Sequence, residues 1–183
     1  MCKETSNQVT EMYPYTYVYK GEKNILIWQT GEDVQDSFKV DSKDYLFSAQ
    51  TEEELKKLLG PESKRVHWGE YAEINLDDFW RAVKNLRAGR GSSSKTCELL
   101  LNGWNFIEDL LRTFGLIQEM EKLRSPLLNK VYEKNFRGNN LPAVTPEGKS
   151  YTPIWLREET TLFRKEISLI WKILENKVSK FKK

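Results

Sequence analysis

The chain has 183 residues, of which 39% are hydrophobic, 12% aromatic and 31% charged, a length and apolar content suited to one domain with a substantial core. Six Trp, eight Tyr and eight Phe argue against disorder, and no stretch approaches the roughly 18 to 20 uninterrupted apolar residues needed to span a bilayer. The net charge of +2 conceals a division: residues 1–78 hold 16 acidic and 9 basic side chains, net −7, whereas residues 79–183 hold 11 acidic and 20 basic, net +9.

In chain order, Tyr13 to Tyr19 alternates so that Tyr13, Tyr15, Tyr17 and Tyr19 share one face of an extended strand. The segment 21–24 reads as the turn of a β-hairpin leading into Asn24 to Thr30, NILIWQT. Shorter strands are expected over Ser37 to Val40, Tyr45 to Ala49 and within Arg65 to Ile74, separated by the polar cluster 41–44. Between them, Thr51 and Glu54 form a capping box ahead of LKKLL, and Gly60-Pro61 stops that helix.

After residue 75 the period becomes helical. Asn75 or Asp77 is placed to cap FWRAVKNLRA, with Phe79, Trp80, Val83 and Leu86 on one face. Following the Gly/Ser break at 89–94, a long core helix runs from Ser94 to Phe114 and ends at Gly115, the residue that enters the left-handed conformation at least cost. Within it, Glu108 and Asp109 are read as solvated or as capping neighbouring groups. Further helix is expected over Leu116 to Leu123 and from Pro126 to about Gly138, then a loop over Asn139 to Pro153, and a closing helix from about Ile154 to Phe181. The basic residues Lys177, Lys180, Lys182 and Lys183 suit the negative end of that helix dipole. The pattern is therefore α+β in a single domain, residues 1–183: a sheet-rich part, about 13–74, forms an antiparallel sheet with one short helix, and a mainly helical part, about 75–181, packs on it.

The opening residues lack the basic and apolar regions of a signal peptide, and Cys2 and Cys97 suit reduced thiols, so a cytoplasmic protein is expected. No complete catalytic set can be assembled, and the expectation is a binding protein rather than an enzyme. Gly89-Arg90-Gly91-Ser92-Ser93-Ser94-Lys95-Thr96 departs from the P-loop pattern at Ser94, and a helix rather than a buried strand precedes it. His67 is the only histidine and has no evident partner to orient it. With no second histidine, CxxC or HExxH pattern, neither a metal nor another cofactor is expected. The tyrosine face belongs to the acidic part of the chain, which counts against nucleic acid, although the basic residues 79–183 keep a nucleic-acid-binding regulator as the alternative.

Two segments, HWGEYAEINLDDFWRAVKNLR and SSSKTCELLLNGWNFIEDLLRTFG, carry Trp68, Glu73, Phe79-Trp80, Leu86-Arg87, Cys97, Leu100-Leu101 and Trp104-Asn105 to Asp109 in that order. Over residues 66–115 the chain resembles small bacterial immunity proteins encoded beside contact-dependent growth inhibition or other polymorphic toxins. The resemblance implies a cytoplasmic protein that binds a cognate toxin domain, commonly a nuclease, and covers its active site or substrate cleft. It implies no small-molecule ligand and no membrane partner. Because the whole chain is slightly basic, an acidic contact surface must be local, and the cluster Glu70, Tyr71, Glu73, Asp77 and Asp78 is the expected partner-binding site.

Overall fold

The structure, a computed structural model, describes residues 11–32 and 34–178; Cys2 and the tail residues Lys180, Lys182 and Lys183 lie outside the described residues. Strands β1 (Glu11–Tyr19) and β2 (Glu22–Gly31) form the expected hairpin, with Tyr19 opposite Glu22 and Tyr15 opposite Leu26. Its turn is Lys20-Gly21, earlier than the segment 21–24, and both residues have positive φ, 54° and 75°. Two-residue turns of that kind match the right-handed twist of the flanking strands. Asp77 fixes the turn from outside by accepting the backbone N–H groups of Lys20 and Gly21, each at 2.8 Å.

Strand β3 (Val34–Phe38) runs antiparallel to one end of β2, and the two-residue β4 (Ser48–Ala49) pairs antiparallel with the other. Between them the chain turns on Asp41, whose carboxylate accepts the N–H of Lys43 at 2.8 Å and of Tyr45 at 3.0 Å. That turn shortens the strand expected over Tyr45 to Ala49, leaving a bridge of Val40 to Leu46 and then β4. Helix α1 (Glu52–Leu59) has both arms of its capping box, Thr51 to the Glu54 N–H and the Glu54 carboxylate to the Thr51 N–H. Strand β5 (Ala72–Asn75) then adds parallel to β1, with Tyr17 opposite Ile74. The sheet order is β3-β2-β1-β5, so the sheet is mixed: the antiparallel expectation holds for the hairpin, β3 and β4 but not for β5. The long connection through α1 permits this, because a parallel pair cannot be joined by a tight turn and needs such a crossover.

The sheet is covered on both faces. On one, Leu55 and Leu59 of α1 pack with Met12, Ile25, Ile27 and Val66. On the other lies the larger core, which joins Tyr17, Leu26, Phe38 and Ile74 to helices α2 (Leu76–Asn85), α3 (Ser94–Thr113), α5 (Pro126–Gly138) and α6 (Arg157–Val178). The short α4 (Ile117–Leu123) links α3 to α5. Asn75 caps α2 by accepting the Asp78 N–H at 3.0 Å, which leaves Asp77 free to hold the hairpin. Gly115 ends α3 with φ 63°.

Three of the four tyrosines, Tyr15, Tyr17 and Tyr19, face the larger core, and Tyr13 stays half-exposed. Tyr15, Tyr17 and Phe38 meet Phe106 of α3 at ring separations of 5.4, 5.7 and 5.3 Å. Tyr19 meets Trp171 of α6 edge-on and accepts its Nε1–H at 3.0 Å. The last helix begins at Arg157 rather than near Ile154 because residues 153–155 are engaged elsewhere: Ile154 bridges to Gly91, and Trp155 is 1% exposed with its Nε1–H donated to Ser92 Oγ at 2.8 Å. Glu159, also 1% exposed, accepts the Leu156 N–H at the helix start and pairs with Lys134 of α5 at 2.7 Å.

Gly103 of α3 lies against the ring of Phe79, with no room for a Cβ. Gly103→Ala is therefore expected to lower stability by about 1–3 kcal/mol through overpacking, which outweighs the gain of about 1 kcal/mol in helix propensity. The urea unfolding midpoint reads this, and an unchanged or raised midpoint would show that Phe79 gives way.

Candidate functional site

A cleft of about 1040 Å³ opens where the sheet, α3 and the α4–α5 segment meet. Tyr15, Trp28 and Asp36 come from the sheet, Glu73 from the edge strand β5, and Arg124, Tyr132 and Glu133 from the helical side. Helix α3 supplies the remaining wall, including Trp104, Asn105, Glu108, Asp109 and Arg112. Five carboxylates, those of Asp36, Glu73, Glu108, Asp109 and Glu133, thus face two arginines.

Both arginines are already engaged. Arg112 bridges Glu108 at 3.1 Å and also pairs with Asp109, while Arg124 Nε donates to Glu108 Oε1 at 3.0 Å. The indole Nε1–H of Trp28 donates to Asp109 Oδ2 at 3.1 Å. Thr113 ties the same stretch of α3 to the sheet, its hydroxyl donating to the Asp109 carbonyl and accepting the Phe38 N–H, each at 2.7 Å. Glu108 and Asp109 are each 8% exposed. Of the two expectations for them, solvation is not met, and engagement with neighbouring groups is. Their partners are an arginine one turn along α3, another on α4's far end, and an indole from the sheet.

Burial pushes the Asp109 carboxyl up to about 6; the charges of Asp36 and Glu108 push the same way, against Arg112 and the Trp28 N–H. Burial also lifts the Tyr15 phenol beside it. With acceptors in excess, cations already paired and the rings of Tyr15, Trp28, Trp104 and Tyr132 in its walls, the cleft is suited to receive a positively charged group.

Of the five residues expected to bind a partner, Glu70, Tyr71, Glu73, Asp77 and Asp78, one, Glu73, lines the cleft. Asp77 is committed to the hairpin turn, and Asp78 pairs with Arg81 at 2.7 Å. Tyr71 donates its hydroxyl to Glu52 of α1, and Glu70 is exposed. The residues that sequence reasoning missed are Asp36, Glu108, Asp109 and Glu133. One local signal was available for the middle pair: adjacent acids set between apolar residues on both sides, with Arg112 three and four positions on.

His67 is exposed and stacks on Tyr13, ring centroids 4.8 Å apart. Residues Gly89 to Thr96 follow a helix, as expected from the sequence, and Ser93 caps α3 by accepting the Thr96 N–H at 3.2 Å. Cys97 is a buried thiol, pushed up to about 11 by burial. Among the described residues, no group of three or more His, Cys, Asp or Glu is arranged to hold a metal ion, and no helix is long and apolar enough to cross a membrane. Comparison with protein-family models, curated proteins and solved structures yielded no match.

Because Asp109 binds its proton more tightly folded, up to about 6, than its ordinary value of 3.8, the folded state holds more protons between those values and its contribution to stability falls as pH rises through that window. The full cost, about 3 kcal/mol at roughly 1.4 kcal/mol per pH unit, is present above pH 6 and absent below pH 3.8. A carboxyl ¹³C titration is expected to show one aspartate with a midpoint near 6, and Asp109→Asn is expected to flatten the fall in the urea midpoint between about pH 4 and pH 7. An Asp109 midpoint at or below 4 would contradict the assignment.

Proposed function

We propose that the chain is an immunity protein, a non-catalytic inhibitor that binds a cognate toxin domain and covers its active site or substrate cleft, the toxin being a nuclease. The observation that carries this reading is the cleft: five carboxylates around about 1040 Å³, with both of its arginines already paired internally. A nuclease must hold a polyanion, so its working surface presents arginines and lysines. An inhibitor of such a surface needs fixed acidic groups in a walled recess, where a pair of opposite charges gains most from the exclusion of water.

Glu73, Trp104, Asn105, Glu108 and Asp109 belong both to the residues that carry the resemblance over 66–115 and to the lining of the cleft. Glu133 faces the same opening from α5. Glu73 and Glu133 are exposed, so their charges act on encounter as well as in the complex. The acids come from both halves of the chain, which explains how a protein of net charge +2 can still offer an acidic recess.

Co-expression with the product of the adjacent gene tests the reading. Growth should be restored, and a one-to-one complex should co-purify. Glu73→Lys together with Glu133→Lys should slow association at least about tenfold at low salt, with the difference shrinking as salt is raised. If the neighbouring product kills equally with and without this chain, and no complex is recovered, the reading is wrong.

A further inference from the structure

A second cavity, of about 490 Å³, opens between α2 and the start of α3, and its charge is the reverse of the cleft's. Arg81, Arg87, Arg90 and Lys95 line it against the single carboxylate of Asp78, a net of +3 from these side chains. Asp78 is taken by Arg81 at 2.7 Å. Arg87 spends one nitrogen on the carbonyls of Lys84 and Leu86, at 2.7 and 3.0 Å, and keeps its remaining donors. Among the described residues, no carboxylate or carbonyl takes the side chain of Arg90 or Lys95.

The scaffold beneath these cations is fixed. Residues 89–92 lie alongside 153–155: the Gly89 N–H reaches the Trp155 carbonyl at 2.9 Å, and the Trp155 N–H reaches the Arg90 carbonyl at 3.2 Å. Trp155 Nε1 holds Ser92 Oγ at 2.8 Å. At Gly91 a Cβ would come within 2.7 Å of Thr152 Cγ2, so a larger residue there would have to displace that side chain. Like charges held around one cavity repel, and with the only carboxylate already committed the arrangement is relieved by an anion from outside.

The geometry points to a binding site for a phosphate-bearing ligand in this cavity. Arg81, Arg87, Arg90 and Lys95 hold the phosphoryl oxygens, with the Ser93 and Thr96 hydroxyls at the rim and the edge of Trp155 and Leu99 as the apolar wall beneath. This differs from a P-loop. The chain enters from α2 rather than from a strand, and the Thr96 N–H is occupied by Ser93, so side chains rather than a backbone cradle make the contacts. The site revises the expectation that the protein takes no small ligand, and it is separate from the acid-lined cleft, so it stands or falls independently of the toxin reading.

Titration calorimetry at an ionic strength of about 0.02 M, where surface charges are little screened, tests the site with pyrophosphate, AMP and a short single-stranded RNA. Pyrophosphate is expected to bind and to move the amide NMR signals of residues 90–96. Arg90→Ala with Lys95→Ala is expected to weaken binding at least about tenfold with unchanged thermal unfolding, whereas Lys57→Ala with Lys172→Ala, on exposed lysines of α1 and α6, leaves it unaltered. Tighter binding of AMP than of pyrophosphate identifies a nucleotide as the source of the phosphate; tighter binding of RNA than of either identifies a nucleic-acid backbone. The proposal is overturned if none of the three binds, or if binding is insensitive to the Arg90/Lys95 double substitution.

Discussion

The seating of Phe106 on the sheet is the contact from which the rest of the arrangement follows. Its ring touches Tyr15 and Tyr17 of β1 and Phe38 of β3, which sets both the height and the rotation of α3 above the strands. Aromatic contacts of this kind add about 0.5–1.5 kcal/mol each beyond the area they bury. Successive helical residues are rotated by about 100°, so once Phe106 points down, Asp109, about 60° round the helix, emerges beside the sheet, while Glu108, about 160° round, faces away from it towards Arg124. Asp109 there meets Trp28, and the cleft is lined jointly by the sheet, α3, α5 and the Leu123-Arg124 end of α4.

Two electrostatic regimes share that one helix. Its first turn stands beside four basic side chains, and its fifth turn carries the buried acids Glu108 and Asp109 of the cleft. The sequence divides charge between an acidic part and a basic part, but folding redistributes it. Asp36 and Glu73 come from the acidic part, Glu108, Asp109 and Glu133 from the basic one, and all of them face the same opening. What the cleft presents is therefore set by where α3 crosses the sheet, not by which end of the chain a residue comes from.

Elements governed by neighbours in sequence were legible before the structure. The Thr51/Glu54 capping box, Asn75 as the cap of α2 and Gly115 as the left-handed stop of α3 all act within four residues of the group they satisfy. The hairpin was legible in kind but not in its turn, because Asp77, more than fifty residues away, selects Lys20-Gly21. The cleft was largely illegible for the same reason: the Trp28 to Asp109 bond and the Arg124 to Glu108 pair span 81 and 16 residues. Periodicity reports which face of a helix is apolar, and says nothing of which buried acid a distant indole will find. Of the cluster 70–78, Tyr71 is bound to α1, Asp77 to the hairpin turn and Asp78 to Arg81, contacts that proximity in sequence does not report.

The loop over 139–153 is held at its neck by one side chain. The Asn140 amide accepts the Tyr151 N–H at 2.6 Å and donates to the Tyr151 carbonyl at 2.9 Å, so the chain leaves and re-enters the fold at almost the same point. Within this clasp, residues 141–150 are exposed apart from the half-buried Thr145. The closure cost of such an excursion rises only slowly with its length. The clasp therefore makes the intervening segment interchangeable: residues can be inserted, deleted or rewritten there while α5 and α6 keep their spacing, and a new pair of chain ends could be placed there by circular permutation with the neck left intact.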